Sequence, residues 1–467
     1  MLKLYNTLTK KIEEFKAINS PKVGMYACGP TVYDYTHIGH LRKYVGDDVL
    51  RRTLELLGFE VRHVMNITDV GHLVSDEDSG EDKIEKGARE SGRSVWEVAK
   101  FYEDYFWKSV GSINILRPSV VAKATDHIEE QVKLIHRLEK NGFIYVTEHA
   151  IYFDISKFSD YTKLSGQKLE DKEVGVREDV VIDHQKKNPH DFALWFFTVG
   201  HFKNHVMKWS SPWGEGFPGW HIECSAMSME YLGDSFDIHT GGVDHIAVHH
   251  TNEIAQSEAA TGKKFVNYWV HHNFLQVDGE KMSKSKKNFY RVEDIEQKGF
   301  EVLAMRYLFL TAHYREKLNF TWKSLQASQN ALNNIREQIR GFEGDFGLLN
   351  QANLESDSFW QRFLSSASND LNMPQAVAVL WELLRSDYTT SRKVQIILEM
   401  DKILGLELDK YIGKPLNIPE SVMKLIKKRE HIRRSGDFKK SDELRSEIKK
   451  LGFEVEDTSD GAKIKPS

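Results

Sequence analysis

Two rhythms of apolar and polar positions organise this chain. Through residue 120, short apolar-rich runs at Val23 to Ala27 and Val61 to Ile67 flank a stretch, Leu41 to Leu57, whose leucines and valines recur with helical period. This β-α-β succession predicts an α/β fold, a doubly wound parallel sheet with helices on both faces and a ligand site at the carboxyl ends of its strands. From 121 to 212 the rhythm changes. A predicted helix from Thr125 to Lys140 gives way to one strand-like run, Ile144 to Asp154, and to a polar stretch through Asn188-Pro189. The sheet pattern resumes over 213–278, through His239 and from Phe265 to Phe274.

Past Phe289 the period is helical. Val302 to Thr311, Ser324 to Arg340, Phe359 to Ala367, Ala376 to Arg385 and Val394 to Leu404 each carry an apolar stripe, as helices packed in a bundle do. After Pro415 and Pro419 comes a basic segment, and the chain closes with strand-like Phe453-Glu454-Val455 and a turn at Asp460-Gly461. The domain limits expected are 1–120 and 213–278 for the two halves of the sheet, 121–212 for an insertion, 279–322 for a connecting region, 323–414 for the bundle and 415–467 for a small C-terminal module. A chain of 467 residues is longer than one simple core accommodates.

Composition narrows the class. Hydrophobic residues make up 40% of the chain, no apolar run nears the ~20 residues that cross a bilayer, and no basic region followed by an apolar one opens the sequence. A cytoplasmic protein with no membrane partner is expected. The net charge of −5 and a pI near 6.5 exclude a protein that coats nucleic acid through its overall charge. Only Lys424 to Lys450 is strongly basic, with eleven Lys/Arg against five Asp/Glu, and composition alone reads it as a solvated pair of amphipathic helices.

Chemistry concentrates in two short stretches. Thr31-Val32-Tyr33-Asp34-Tyr35-Thr36-His37-Ile38-Gly39-His40 sets two imidazoles around a glycine, between a predicted strand and a predicted helix. Lys281-Met282-Ser283-Lys284-Ser285 puts two ammonium groups and two hydroxyls on a loop. Either alone is a common turn or exposed loop. Together, imidazoles at a helix start and lysines across a cleft suit the charge that develops when a nucleoside triphosphate is attacked at its α-phosphate. The two cysteines, Cys28 and Cys224, form no Cys-x-x-Cys knuckle; they are buried thiols, a disulfide, or two ligands of one metal. A reducing cytoplasm disfavours the disulfide. His249 and Glu253 share a helix face, and with two thiolates they would make a complete zinc shell.

In both signature stretches, His37 to His40 and Lys281 to Ser285, the chain resembles the class I aminoacyl-tRNA synthetases. Phe217-Pro218-Gly219-Trp220-His221-Ile222-Glu223-Cys224-Ser225-Ala226-Met227, Phe236-Asp237-Ile238-His239 and Gly241-Gly242-Val243-Asp244 resemble the second half of the catalytic domain of cysteinyl-tRNA synthetases. Asp370 to Ala376 with Leu380-Trp381-Glu382-Leu383 resembles the helical bundle of cysteinyl and arginyl synthetases. The resemblance implies a Rossmann-type sheet split by the insertion, a lysine-loop and stem-contact region over 279–322, an α-helical anticodon-binding bundle and a basic C-terminal module that helps bind the anticodon. It implies a monomeric ligase that activates L-cysteine with ATP to cysteinyl-adenylate, releases pyrophosphate and transfers cysteine to the 3′ end of tRNA(Cys). By the same resemblance, zinc sits on Cys28, Cys224, His249 and Glu253, while His37, His40, Lys281 and Lys284 act on the phosphates of ATP, which comes with magnesium (Mg2+). Gly241 and Asp244 hold adenosine, and Gly29, Thr68, Trp220 and His239 line the amino-acid pocket.

Zinc would answer a selectivity problem. Cysteine and serine differ by one atom, which a pocket sorting by shape discriminates by only ~1–3 kcal/mol. A thiol, with a reference pKa of about 8.5, binds zinc (Zn2+) as a soft thiolate that a hydroxyl cannot match. Four protein ligands would close the shell, so the substrate sulfur is expected as a fifth ligand or in place of Glu253. The sequence departs from the common family pattern after Asp69, where Val70 to Lys83 reads as an acidic solvated loop and not as a second metal site on His72, Asp76 and Asp78. It departs again at Val243, Val248 and Thr251, where Ser, Pro and Glu are usual. Three rivals stay open: a ligase that hands activated cysteine to an amino sugar, an inactive RNA-binding relative, and a generic nucleotidyltransferase.

Overall fold

Five strands make the expected parallel sheet: β1 (Lys22–Ala27), β2 (Glu60–Ile67), β3 (Val120–Lys123), β4 (Phe236–Gly242) and β5 (Val266–His272), in the spatial order β5-β4-β1-β2-β3. The computed structural model describes every residue except 71–72, 76–78, 168–182, 284–285, 287, 343–353, 417, 459–460 and 467. Helix α1 (Ile38–Leu56) links β1 to β2, α2 (Trp220–Leu232) leads into β4, and α3 (His249–Thr261) links β4 to β5. Winding reverses between β1 and β4, and such a reversal opens a crevice outside the carboxyl ends of the strands. The residues that follow β1, β2 and β4 therefore meet there. Helix α1 begins earlier than its apolar period suggests, because His37 caps it.

The chain divides into two compact units, Met1–Thr321 with Leu364–Gln375, and Trp322–Phe363 with Ala376–Ser467. In the first, the stretch between β3 and α2 builds a separate antiparallel sheet of five strands: Ile144–Val146, Ala150–Phe153, Phe192–Phe197, Trp209–Ser211 and Gly214–Pro218. The single run expected over Ile144 to Asp154 is thus a hairpin. Thr147 Oγ1 accepts from the backbone N–H groups of His149 and Ala150, at 3.2 and 3.1 Å, and this turn breaks the run in two. The helix expected over Thr125 to Lys140 starts as a 3-10 turn, Thr125–His127, and continues as an α-helix, Ile128–Lys140. Another short hairpin, Leu275–Val277 with Glu280–Lys281, turns on Asp278-Gly279, both at positive φ, and carries Lys281 on its second arm. Asp370 ties the segment Leu364–Gln375 to this unit: its carboxylate accepts from Tyr5 N–H at 2.8 Å, Tyr314 O–H at 2.6 Å and Arg315 Nε at 2.7 Å.

The second unit is helical and ends in a small α/β module. Leu325, Leu332, Ile335 and Ile339 form the buried stripe of helix Trp322–Arg340, and Val394, Ile397, Met400 and Leu404 that of Thr390–Leu404. The basic segment folds as two helices, Glu420–Arg434 and Phe438–Lys450, against a hairpin of Phe453–Thr458 and Gly461–Pro466. Val422, Ile426, Ile448 and Val455 make its core. The expected turn residue Asp460 lies outside the described residues, as do His72, Asp76 and Asp78. Among the described residues no helix is long and apolar enough to cross a membrane.

Candidate active site and metal centre

The histidine stretch is first a piece of helix chemistry. His37 is the N-cap of α1, and its Nδ1 accepts the backbone N–H groups of Gly39 and His40 at 3.1 and 3.3 Å, satisfying donors that a helix start leaves free. His40 returns the contact, its Nδ1 accepting from His37 N–H at 3.4 Å. A backbone N–H can only donate, so both neutral imidazoles carry their proton on Nε2. The rings stack at 3.6 Å. Gly39 is required by this arrangement, since a Cβ there would stand 2.9 Å from His37 Cε1.

The lysine stretch comes back to the same helix end. Ile38 N–H donates to Tyr290 O at 3.0 Å, Phe289 meets the His37 ring edge-on at 4.9 Å, and Met282 reaches the vicinity of Gly39. Between these anchors Lys281 is exposed, and Ser283 N–H is held by Asn288 Oδ1 at 2.8 Å. Lys284 and Ser285 lie outside the described residues. Across the crevice, β4 ends at Gly241-Gly242 and the 3-10 turn Val243–His245 leaves Asp244 exposed.

Below this surface the predicted donors converge. One ligand atom each from Cys28, Cys224, His249 and Glu253 lies within 4.8 Å of the others, and all four residues are buried. Cys28 follows β1, Cys224 sits in the second turn of α2, and His249 and Glu253 are one turn apart at the start of α3. Both cysteines are free thiols, so the disulfide reading falls. Burial opposes ionisation of Cys28, but a hydrogen bond from Cys224 and the fields of His250 and His239 hold its thiol well below the usual range. The bond to Cys28, with burial, raises Cys224. Burial would lower His249, yet Glu253 and Cys28 raise it to about 10. Glu253 Oε1 is fully buried and, among the described residues, has only His249 Nε2, at 3.1 Å, and His250 Nε2, at 3.8 Å, facing it, with no well-aligned hydrogen bond. Two sulfurs, an imidazole and an under-satisfied carboxylate, with one thiolate already favoured, form a donor set that fits a soft divalent cation such as zinc.

A second, overlapping set shares two of these donors: Cys28, His239, His250 and Glu253. Its histidines are otherwise engaged. His239 Nε2 meets Glu253 Oε2 at 3.0 Å with its ring stacked on Trp269 at 4.6 Å, while His250 lies between Cys28 Sγ at 3.3 Å and His271 Nε2 at 2.7 Å. Groups so placed orient ligands from outside the shell. His239, expected to line the pocket, is wholly buried on Glu253. Trp220, half-buried, stacks on His249 at 4.3 Å. Thr68 is buried, and Gly29 follows Cys28 so tightly against β2 that a Cβ would fall 1.7 Å from Asn66 O. Gly241 is packed on the His250 ring. Of the atypical positions, Thr251 donates its hydroxyl to Ile246 O at 2.7 Å, bracing the turn that enters α3.

Sequence reasoning missed His250, His271, Glu223 and Lys43. Lys43 donates to the Cys28 carbonyl at 2.5 Å and pairs with Asp47 at 2.7 Å, and Asp47 meets His272 at 2.9 Å. Burial opposes the Asp47 charge, but Lys43 and His272 keep its carboxyl well below the usual range. The adjacent pairs His249-His250 and His271-His272 were the available signal, since both members of the first and His271 of the second turn toward the cluster.

Comparison with known proteins gives consistent matches. A family model described as the class I (C) tRNA synthetase catalytic domain matches residues 14–330, and one described as the cysteinyl-tRNA ligase anticodon binding domain matches 417–463. The cysteine–tRNA ligase of Treponema denticola is 46% identical over 483 aligned positions, covering 98% of each chain, and cysteine–tRNA ligase 1 of Burkholderia lata is 46% identical, covering 99% of this chain and 96% of its own. In fold, the chain is similar to Mycobacterium tuberculosis methionyl-tRNA synthetase in complex with methionyl-adenylate, with a TM-score of 0.55 and 16% identity over 84% of this chain and 91% of that one.

Proposed function

Because the chain belongs to the cysteinyl-tRNA synthetases of class I, a family of ligases acting on cysteine, ATP and tRNA, we propose that it activates L-cysteine as an adenylate, passes it to tRNA(Cys), and selects it through zinc. The observation that carries this reading is the buried convergence of Cys28, Cys224, His249 and Glu253, just past the strand that leads into the His37–His40 helix start.

A carboxylate oxygen of cysteine attacks the α-phosphorus of ATP, and the bond to the departing pyrophosphate breaks. Charge grows on the phosphate oxygens, and positioned donors lower the barrier. The Nε2–H groups of His37 and His40 are such donors, set by the capping contacts and backed by the α1 N-terminus. Lys281 and Lys284 hold the triphosphate, which enters with magnesium. The Gly241 backbone and the exposed Asp244 carboxylate receive adenine and ribose. A terminal hydroxyl of the tRNA then attacks the adenylate carbonyl and AMP leaves. When bound on its four donors, zinc supplies a soft Lewis acid that prefers the substrate thiolate to the hydroxyl of serine. Trp220, stacked on His249, and His239, bonded to Glu253, keep those donors oriented, while Gly29 and Thr68 border the amino acid. The basic helices of the C-terminal module offer phosphate contacts to the anticodon stem.

Transfer of labelled cysteine to unfractionated tRNA with ATP and magnesium, repeated with serine and after zinc chelation, tests the reading. Charging that needs zinc and ignores serine is expected. Cysteine-dependent pyrophosphate exchange without charging would move the assignment to an amino-sugar ligase, and silence in both assays would leave an inactive relative.

A further inference from the structure

Three of the four donors of the buried cluster sit on helices: Cys224 on α2, His249 and Glu253 on α3. Cys28 is the exception. It lies just past the end of β1, outside any helix or strand, where the sheet ladder no longer fixes the whole of its backbone. Its N–H still donates to Thr240 O at 3.1 Å, and the next N–H, of Gly29, goes to Asn66 Oδ1 at 2.7 Å. The Cys28 carbonyl is taken by a side chain instead, accepting from the ammonium group of Lys43 at 2.5 Å.

That ammonium is itself held. Lys43 pairs with Asp47, one turn further along α1, at 2.7 Å, and Asp47 Oδ1 accepts from His272 Nε2, at the end of β5, at 2.9 Å. Asp47 and His272 are buried, and the Lys43 side chain is only 12% exposed. A buried ion pair is a poor source of stability, because the desolvation of both charges offsets their attraction; what it supplies is a fixed position. The helix is also shaped to admit the pair's partner. Gly46 stands in the interior of α1, where glycine weakens a helix, and a Cβ there would lie 2.3 Å from His272 Cε1.

We propose that Lys43, backed by Asp47 and His272, is a positioning residue for the metal centre: it fixes the Cys28 backbone and so the place of the Cys28 sulfur. The proposal rests on the reading that Cys28, Cys224, His249 and Glu253 hold zinc. Lys43 follows His40 by one helical turn, so the same brace ties the Cys28 donor to the helix that carries the two histidines proposed to face ATP.

Metal binding by the full chain tests it without recourse to activity. The apoprotein is titrated with zinc against a chromophoric chelator, and with cobalt, whose absorption bands report the geometry of the site and its thiolate ligands. Lys43→Met keeps the length of the side chain and removes the ammonium. It should bind zinc about 10–100-fold more weakly than the wild type. At saturating cobalt it should also give an altered spectrum, which a merely destabilised chain would not. Undiminished zinc affinity, or weaker binding with the wild-type spectrum, overturns the proposal. If Lys43→Met does not fold, Asp47→Asn decides: it preserves shape but removes the charge that holds the ammonium, and it should weaken zinc binding in the same direction, so that unchanged affinity overturns the proposal. A wild type that binds neither metal overturns the zinc reading and this proposal with it; a wild type that binds both, beside an unaltered variant, overturns only the proposal.

Discussion

The proposed mechanism gives His37 a second job beside its helix cap, on its other nitrogen, and a substitution can separate the two. Asparagine at 37 offers a carbonyl oxygen at nearly the place of Nδ1, so it keeps the cap over Gly39 and His40. It has nothing at the place of Nε2. His37→Asn should therefore retain the helix start, whereas His37→Ala should lose about 1 kcal/mol of stability with the cap. In catalysis both lose one donor to the transition state, which typically costs ~2.7–4 kcal/mol, or about 10²–10³ in rate. The assay is cysteine-dependent pyrophosphate exchange at saturating cysteine and ATP, paired with thermal melting of each variant. The expected pattern is a Tm that falls only in His37→Ala and an exchange rate that falls about equally in both. Exchange within a few-fold of wild type in His37→Asn would refute the donor role, and a rate loss confined to His37→Ala would reduce the histidine to its cap.

Other outcomes follow from the same geometry. Chelation should abolish cysteine-dependent exchange and make Cys28 and Cys224 reactive to a thiol reagent, with zinc restoring protection and activity together; thiols that stay silent after chelation would argue against their being ligands. His63 is buried with both ring nitrogens unpartnered among the described residues, and desolvation lowers it to about 4. The unfolded chain, with its histidine near 6.5, takes up the proton first, so stability should be full above that pH and fall by up to about 3 kcal/mol as pH drops towards about 4. In urea titrations His63→Leu should flatten that slope, and an unchanged slope would refute it. Arg429, fully buried, holds Asp457 through two bonds of 2.8 and 2.7 Å. Arg429→Ala should expose the C-terminal module to proteolysis and depress tRNA charging more than tenfold, with pyrophosphate exchange within about twofold; equal loss in both assays would count against a tRNA role for the module.

The sheet was legible because the carboxyl-terminal parts of β1 and β2, Met25 to Ala27 and Val64 to Ile67, are buried on both faces and so read as short apolar-rich runs. The metal donors were legible only as a pattern: no local spacing joins Cys28 to Cys224, and the resemblance, not the periodicity, brought them together. What stayed hidden depends on contacts across strands. The hairpin at Thr147 reads as one run because a side chain, not a Gly or Pro, makes its turn. His271 meets His250 from the end of β5, and Glu223 meets Thr68 across α2 and β2, pairings that no window of sequence contains. The tautomers of His37 and His40 were equally out of reach, since they follow from which backbone groups face the rings.

The strand order β5-β4-β1-β2-β3 also sets a schedule for biosynthesis. β1, β2 and β3 leave the ribosome first and can pair, but the other edge of β1 must wait for β4. Glu253 emerges 225 residues after Cys28, about 10–45 s later at ~5–20 residues per second. Until Cys224 and β4 follow, near the end of that interval, the nascent chain carries an open sheet edge and a solitary thiol, both hazards for a polypeptide still tethered and surrounded by others. Loading of an ion on Cys28, Cys224, His249 and Glu253 would therefore be a late event, open only to a chain elongated past the insertion. A translation product stopped before residue 236 would present the strand edge without the means to close it, a natural substrate for chaperone and protease.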